Sequence, residues 1–189
     1  MANLTSVAHI LKSRRFWAIV LIATTTFLLF AFLFSKISGL GGKASQSSWR
    51  GVIPGKTKED QLTNLLGAAV DQKQEGGKTI YQYSSESRYR PNDVIVEQNK
   101  VVLVKEEIFG PEKGILTDYI TKFGKPAQVL YGTHGMTAPL YLFAKAGLAI
   151  YANPHDGKIL EIWYFQPTTT QSFTRNFGQG LTINAPRRF

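Results

Sequence analysis

The apolar positions of the chain fall into two patterns, one long unbroken run near the N-terminus and short periodic groups further on. Residues 16–34 form the long run, FWAIVLIATTTFLLFAFLF, which contains no charged residue, proline or glycine. A helix needs about 20 apolar residues to cross the hydrocarbon core of a bilayer. The run therefore predicts a transmembrane helix over residues 16–35, preceded by a basic N-terminal segment, residues 1–15.

A cleavable signal peptide is the alternative interpretation of this run. Such a peptide usually has an apolar stretch of about 7 to 15 residues that ends at a site of small residues. Here the stretch is longer, and no clean site follows it. Basic side chains lie close to its N-terminal end, and cytoplasmic flanks are enriched in such residues. We therefore expect a single-pass protein of the cell membrane, with the N-terminus inside and the soluble domain extracytoplasmic.

Beyond the run, a flexible linker of Ser and Gly over residues 36–48 leads into short periodic groups. Leu62, Leu65 and Leu66 share one helical face, and Gly67 suits a helix end. Three strand signals follow, over residues 79–84, 93–96 and 101–108, and the last two are separated by a turn at 97–100. Residues 49–110 are therefore predicted to form a helix followed by three strands.

The same order of elements recurs over residues 111–166. A helix is predicted for Leu116 to Phe123, and strands for 140–145, 147–152 and 158–165. The fold prediction is α+β, with an N-terminal transmembrane helix and then tandem helix-strand-strand-strand repeats. The repeats are expected to form an antiparallel sheet with helices on one face. Residues 167–189 lack acids and core periodicity, which predicts an extended or disordered basic tail, or an arm that orders on a partner.

Short motifs in these units resemble a known family. Gly55-Lys-Thr57, a helix closing with Leu-Leu-Gly67, a Tyr-x-Tyr strand and a hairpin ending in Lys-Val-Val are similar to the BamE (SmpA/OmlA) group and related β-lactamase inhibitor protein-like domains. The second unit adds Gly124-Lys-Pro126, and the resemblance spans about residues 49 to 165. It implies an envelope-facing, non-catalytic module that binds other proteins, often as an accessory subunit of a larger assembly.

The formal net charge of +9 is unevenly distributed along the chain. Residues 59–165 are close to neutral, whereas basic side chains concentrate around the apolar run and in the tail. Nucleic-acid binding would favour basic and aromatic residues interleaved in the folded domain, so we exclude it. Instead, anionic lipid headgroups are the expected partners of the cations that flank the run, namely Lys12, Arg14, Arg15, Lys36 and Lys43.

Candidate chemistry in the sequence is sparse. The absence of cysteine excludes disulfides, thiol nucleophiles and thiolate-bound metals. The three histidines show no metal-ligand spacing, and no phosphate-binding loop or nucleophile motif occurs. Glu106 and Glu107 are adjacent in a strand, so their side chains point to opposite faces and cannot act on one bond. We expect no enzyme activity, no metal and no cofactor.

With catalysis and metal binding excluded, protein binding is the role expected for the Arg and aromatic side chains outside the predicted core. Arg and aromatic side chains dominate protein-protein hot spots. The candidate partner-binding residues are Arg88, Tyr89, Arg90, His134, Phe173, Arg175, Phe177, Arg187 and Arg188.

The leading hypothesis is a membrane-anchored accessory or structural subunit that binds another membrane or envelope protein. The alternative is a ligand-sensing ectodomain that recognises a cell-wall fragment or an anionic solute through Arg88, Arg90 and His134. An enzyme or an enzyme inhibitor is the third hypothesis.

Overall fold

The computed structural model describes residues 46–87, 90–132 and 138–185, which all belong to one compact unit, Ala44–Phe189. Three α-helices are present in these residues: α1 (Leu62–Leu66), α2 (Leu116–Phe123) and α3 (Thr170–Phe177). Short 3-10 turns occupy Glu59–Gln61 and Ala144–Ala146. The strands are β1 (Asp71–Glu75), β2 (Lys78–Tyr83), β3 (Asn92–Glu97), β4 (Lys100–Glu107), β5 (Gln128–Gly132), β6 (Leu140–Phe143), β7 (Leu148–Ala152), β8 (Ile159–Phe165) and β9 (Leu181–Thr182).

All nine strands lie in one antiparallel sheet, in the order β1-β2-β3-β4-β8-β7-β6-β5-β9. The two halves of the chain meet where β4 pairs with β8, and Lys105 lies opposite Trp163 there. The β3–β4 hairpin turns at Gln98 and Asn99, which both have positive φ, as a tight two-residue hairpin turn requires. The turn predicted at 97–100 is thus confirmed.

We call the side of the sheet that carries α1 and α2 the first face. Its core is rich in β-branched residues from β3 and β4, such as Val94 and Val104, and in residues of β7 and β8 such as Ile150 and Ile162. Branched side chains of this kind pack well on a pleated surface. Leu62 of α1 joins this cluster, as does Leu116 of α2.

The opposite side, the second face, is covered by α3 in one half of the sheet. Phe173 is 0% exposed and its ring centroid lies 4.8 Å from that of Phe165 and 6.2 Å from that of Trp163. Thr169 caps the helix by accepting a hydrogen bond from the Ser172 backbone N–H, at 3.2 Å. Within the predicted extended or disordered tail, 167–189, the segment 170–177 is therefore helical instead, because buried aromatic contacts fix α3 on the sheet.

The predicted fold class is also wrong. The helix over Leu116–Phe123 is confirmed, but four strands follow each of α1 and α2 rather than three. Both halves share one nine-stranded sheet, and helices lie on both faces instead of one. The missed strand β1 has the sequence DQKQE and is exposed at every position, so it carries no apolar alternation. Strand β1 is defined by its backbone pairing with β2 and not by its own sequence pattern.

The transmembrane helix predicted over residues 16–35 lies outside the described residues. Among the residues that are described, no helix is long and apolar enough to cross a membrane. What the structure describes is a sheet domain with three short helices.

Candidate functional site

An open cavity lies on the second face, beside α3. It measures about 610 Å³, and we call it the α3 groove. Its lining combines side chains of α3 with the ends of β2, β3 and β4 and the segment after β8; the residues used below are Gly55, Lys78, Glu97, Val102, Gln166, Arg175 and Phe177. The groove therefore lies between the part of the second face that α3 covers and the part formed by β2, β3 and β4, which no helix covers.

Packing of α3 determines which side chains reach the groove. Phe173 is buried against the sheet, so it anchors the helix. Phe177 lies one turn further along, with its ring centroid 5.8 Å from that of Phe173 and half-buried at the groove. Arg175 is exposed and lines the groove from the same helix. The helix thus presents one aromatic edge and one guanidinium to the cavity.

The floor of the groove depends on Gly55. This residue has φ +81, and a Cβ there would lie 2.6 Å from Gln166 Oε1. Its backbone N–H donates to the Val101 carbonyl oxygen at 2.7 Å, which ties the N-terminal segment to β4. The positive φ favours glycine here, since side chains rarely adopt this conformation, whereas the end of the Gln166 side chain is flexible.

The groove has a net positive charge. Lys78 and Arg175 line it with Glu97 as the opposing carboxylate. Within the described ranges, neither cation forms an ion pair, since the pairs there involve Lys73, Arg90 and Lys113. Two cations without a partner in an open cavity favour an anionic ligand group.

A second feature of the same face is a pair of carboxylates. Glu107 of β4 and Glu161 of β8 are direct cross-strand partners, so their side chains are neighbours on one side of the sheet. Glu107 forms an ion pair with Arg90, with Oε1 3.5 Å from Nη1. Burial raises the pKa of Glu161, which is 8% exposed; the Glu107 charge raises it further, while a hydrogen bond from Trp163 Nε1–H opposes the shift.

The raised pKa of Glu161 makes the free energy of unfolding depend on pH. The native state holds this proton more tightly than the unfolded chain, so the contribution is fully present below the ordinary glutamate pKa of 4.5 and is lost as pH rises through the pKa of the folded state. We expect Glu161→Gln to match the parent near pH 4 and to be more stable than it at pH 8. Denaturant unfolding at both pH values measures the difference.

Glu75→Gln on the exposed strand β1 is the matched control for this experiment. It replaces a carboxylate that is in contact with solvent rather than one buried in the sheet. A stability difference between Glu161→Gln and the parent that stays constant from pH 4 to pH 8 would contradict the assignment.

The structure places the candidate partner-binding residues in different surroundings. Arg175 and Phe177 both line the α3 groove. Phe173 is a core residue with no exposed surface, so its role as a contact is corrected. Arg90 is exposed but paired with Glu107. The remaining candidates, Arg88, Tyr89, His134, Arg187 and Arg188, lie outside the described residues, as do the lipid-contacting cations Lys12, Arg14, Arg15, Lys36 and Lys43.

Metal binding has no support in the part of the chain that the structure describes. There, no group of three or more His, Asp or Glu side chains is placed to hold a metal ion. The absence of a metal, of a cofactor and of enzyme activity stays an expectation from the sequence.

Sequence reasoning missed the residues that the strand register brings together. Glu107 and Glu161 are distant in the chain and become neighbours only through β4–β8 pairing. Lys105 lies 4.6 Å from the Trp163 ring centroid for the same reason. No local motif carries this information, because the partner of each strand residue depends on the whole sheet.

No family model matches the chain, and no curated protein matches it. Similar solved structures include a cysteine-rich secretory protein from Staphylococcus aureus, with 14% identity and a TM-score of 0.44 over 70% of this chain and 49% of that one. An extracellular protein with an SCP domain from Bacillus anthracis has 13% identity and a TM-score of 0.45 over 76% of this chain and 53% of that one.

A DUF4309 family protein from Bacillus subtilis is also similar, with 7% identity and a TM-score of 0.44 over 64% of this chain and 88% of that one. The chain spans about half the length of the S. aureus and B. anthracis proteins. At these identities and TM-scores the likenesses assign neither a family nor a function, and the location of this chain stays a prediction.

The resemblance to the BamE group is corrected by the fold. Both halves of the chain share one large antiparallel sheet of nine strands, whereas the resemblance implied tandem helix-strand-strand-strand units. The motifs behind the resemblance are helix ends and strand starts. Gly67 and Gly124, for example, both end a helix with φ +81, which is a local backbone requirement shared by many folds.

Proposed function

We propose that the domain is a non-catalytic protein-interaction module that binds an extended, acidic segment of a partner protein in the α3 groove. The observation that carries this proposal is the pair of cations, Lys78 and Arg175, which line a cavity of about 610 Å³ without an ion-pair partner among the described residues. A partner carboxylate there gains a charge-assisted hydrogen bond, and a guanidinium can bind it with two parallel bonds.

Apolar surface next to the cations favours a peptide over a small inorganic anion. Phe177 and Val102 line the groove, and both pack only partly into the second-face core. Ile80 of β2 is a partly buried member of the same apolar cluster, in the half of the sheet without a covering helix. An apolar side chain of the partner can cover these residues while a neighbouring acid meets Arg175, which is the usual combination of an anchor with a charged contact.

Charge reversal tests this proposal. We expect a random peptide library selected on the full chain to yield peptides enriched in Asp and Glu, and the double variant Lys78→Glu/Arg175→Glu to lose them. Each desolvated charge-assisted contact contributes about 1.5–3 kcal/mol, so a single reversal should weaken a selected acidic peptide at least about tenfold. Binding is measured by fluorescence anisotropy of the labelled peptide.

Lys125→Glu is the matched control for this experiment. Lys125 is an exposed cation that follows α2 and does not line the α3 groove. It changes the net charge by the same amount as either single reversal. If Lys125→Glu weakens acidic peptides as much as Arg175→Glu does, the effect is one of overall charge, and the groove is not the binding site.

A further inference from the structure

Strand β1 carries a row of alternating charges on the second face, the face that also carries the α3 groove. Its residue Lys73 lies directly opposite Ile80 of β2, which belongs to the second-face core. Side chains two residues apart in a strand point to the same side of a sheet, so Asp71 and Glu75 lie on the second face with Lys73. The row therefore reads negative, positive, negative.

The three charges of β1 are open to another molecule. Every residue of β1 is exposed, and β1 forms one edge of the sheet. Lys73 Nζ lies 3.6 Å from Asp71 Oδ2, but more than half of each side chain is exposed, so this ion pair contributes little. Glu75 forms no ion pair within the described ranges. An approaching surface can therefore engage all three charges at small cost.

The α3 groove carries the inverse pattern of charges. Extended by one position, the register of β2 on β3 places Lys78 opposite Glu97, and both residues line the groove. Arg175 lines the groove from α3, which packs on β8. From β2 across the sheet to α3, the groove therefore reads positive, negative, positive.

The two rows of charges have similar lengths. A strand rises about 3.4 Å per residue, so Asp71 and Glu75 are about 14 Å apart. Neighbouring strands are about 4.8 Å apart, and three such steps lead from β2 through β3 and β4 to β8, again about 14 Å. The side chains of Lys78 and Arg175 can therefore meet the two acids of a β1 row while its Lys73 lies over Glu97.

We propose that the α3 groove binds β1 of a second copy of this chain, an inference that rests on the proposed function and names its partner. Strand β1 is extended and carries two acids against one base, as that function requires. It cannot enter the groove of its own chain, because Glu75 is held opposite Lys78 in the β1–β2 hairpin. Both rows lie on the second face, so a two-fold axis can place each β1 in the groove of the other copy.

Charge exchange in the full chain tests this proposal. Two preparations of one variant, labelled at the N-terminus with a donor or an acceptor fluorophore, are mixed in detergent, and energy transfer is followed across a concentration series. We expect Lys73→Glu and Glu97→Lys each to weaken association about fivefold or more, because each places like charges at the centre of the contact. The double variant Lys73→Glu/Glu97→Lys should return to within about twofold of the parent, since all three contacts again join opposite charges.

Lys125→Glu is the matched control, because it changes the net charge as Lys73→Glu does and Lys125 lies in neither row. Lys73 and Glu97 are exposed, so neither reversal should unfold the chain. No self-association, an equal loss in Lys125→Glu, or a double variant that stays weak would each overturn the proposal. So would association that Glu97→Lys leaves intact, since pairing between two β1 edges, or between the apolar residues 16–34 of two copies, would behave in that way.

Glu97→Lys also separates this inference from the proposed function. The variant has three cations in the groove, so acidic peptides selected on the parent should bind it at least as tightly, although it loses the second copy. Acidic peptides that bind a chain without self-association would overturn this inference alone. A library that yields no acidic peptide would instead overturn the proposed function itself.

Discussion

Replacing Phe173 by alanine is expected to lower the free energy of unfolding by about 3–5 kcal/mol, the range observed for a buried Phe in a packed core. Phe173 has no exposed surface, and its ring lies within 6.2 Å of the rings of Phe165, Trp163 and Phe177, measured between centroids. Truncation would leave a cavity that these large rings cannot easily close. Urea unfolding followed by tryptophan fluorescence measures the change, because Trp163 is one of the neighbours.

Gln171→Ala, in the same helix, is the matched control for Phe173→Ala. Gln171 is exposed, so its truncation should change the free energy of unfolding by no more than about 0.5 kcal/mol. If Phe173→Ala were as mild as Gln171→Ala, α3 would not be part of the folded core. The α3 groove would then lose one of its walls, and the proposed function would fail with it.

The segment that forms α3 shows why the tail was mispredicted. Its local helix signals are present in the sequence, with Thr169 as the cap, Phe173 and Phe177 one turn apart, and Gly178 at the end. The segment nevertheless has few aliphatic residues, and composition alone favours disorder. What stabilises α3 is the aromatic surface of β8, which composition cannot show.

The sheet was predictable where its strands are rich in apolar, β-branched or aromatic residues. The predicted strands at 79–84, 93–96, 101–108, 147–152 and 158–165 lie within a residue or two of β2, β3, β4, β7 and β8. The strands β1 and β9 were missed because they lie at the two edges of the sheet and bury little, and β5, next to β9, was missed although it buries Leu130. The number of strands per half, and hence the fold class, depended on those outer strands.

The candidate site was predictable only in part. Arg175 and Phe177 were identified by residue type, and the structure brings them to one cavity together with Lys78. Lys78 and Gln166 were not identified, because their approach to the groove depends on how α3 and the strands pack together.

Alanine at Gly147 is expected to be the most damaging small substitution in the turn before β7. Gly147 has φ +68, and an added Cβ would lie 2.2 Å from the Phe165 carbonyl oxygen and 3.2 Å from Pro167. The left-handed conformation costs a non-glycine residue about 1–2 kcal/mol, and overpacking against a fixed backbone adds about 1–3 kcal/mol. We therefore expect the free energy of unfolding to fall by about 2–5 kcal/mol.

Gly76→Ala, in the turn between β1 and β2, separates the two causes of this loss. Gly76 has φ +55, but nothing lies within 4 Å of the position of its Cβ, so only the conformational cost of about 1–2 kcal/mol should apply. The additional loss of unfolding free energy in Gly147→Ala, relative to this control, measures the close approach of β8 to the turn. The Phe165 N–H donates to the Gly147 carbonyl oxygen at 2.9 Å, so relief of the clash must disturb this bond and the register of β7 on β8. An equal loss of unfolding free energy in the two variants would mean that the end of β8 moves aside freely. The segment that leads from Phe165 through Pro167 to α3 would then not be held against the sheet.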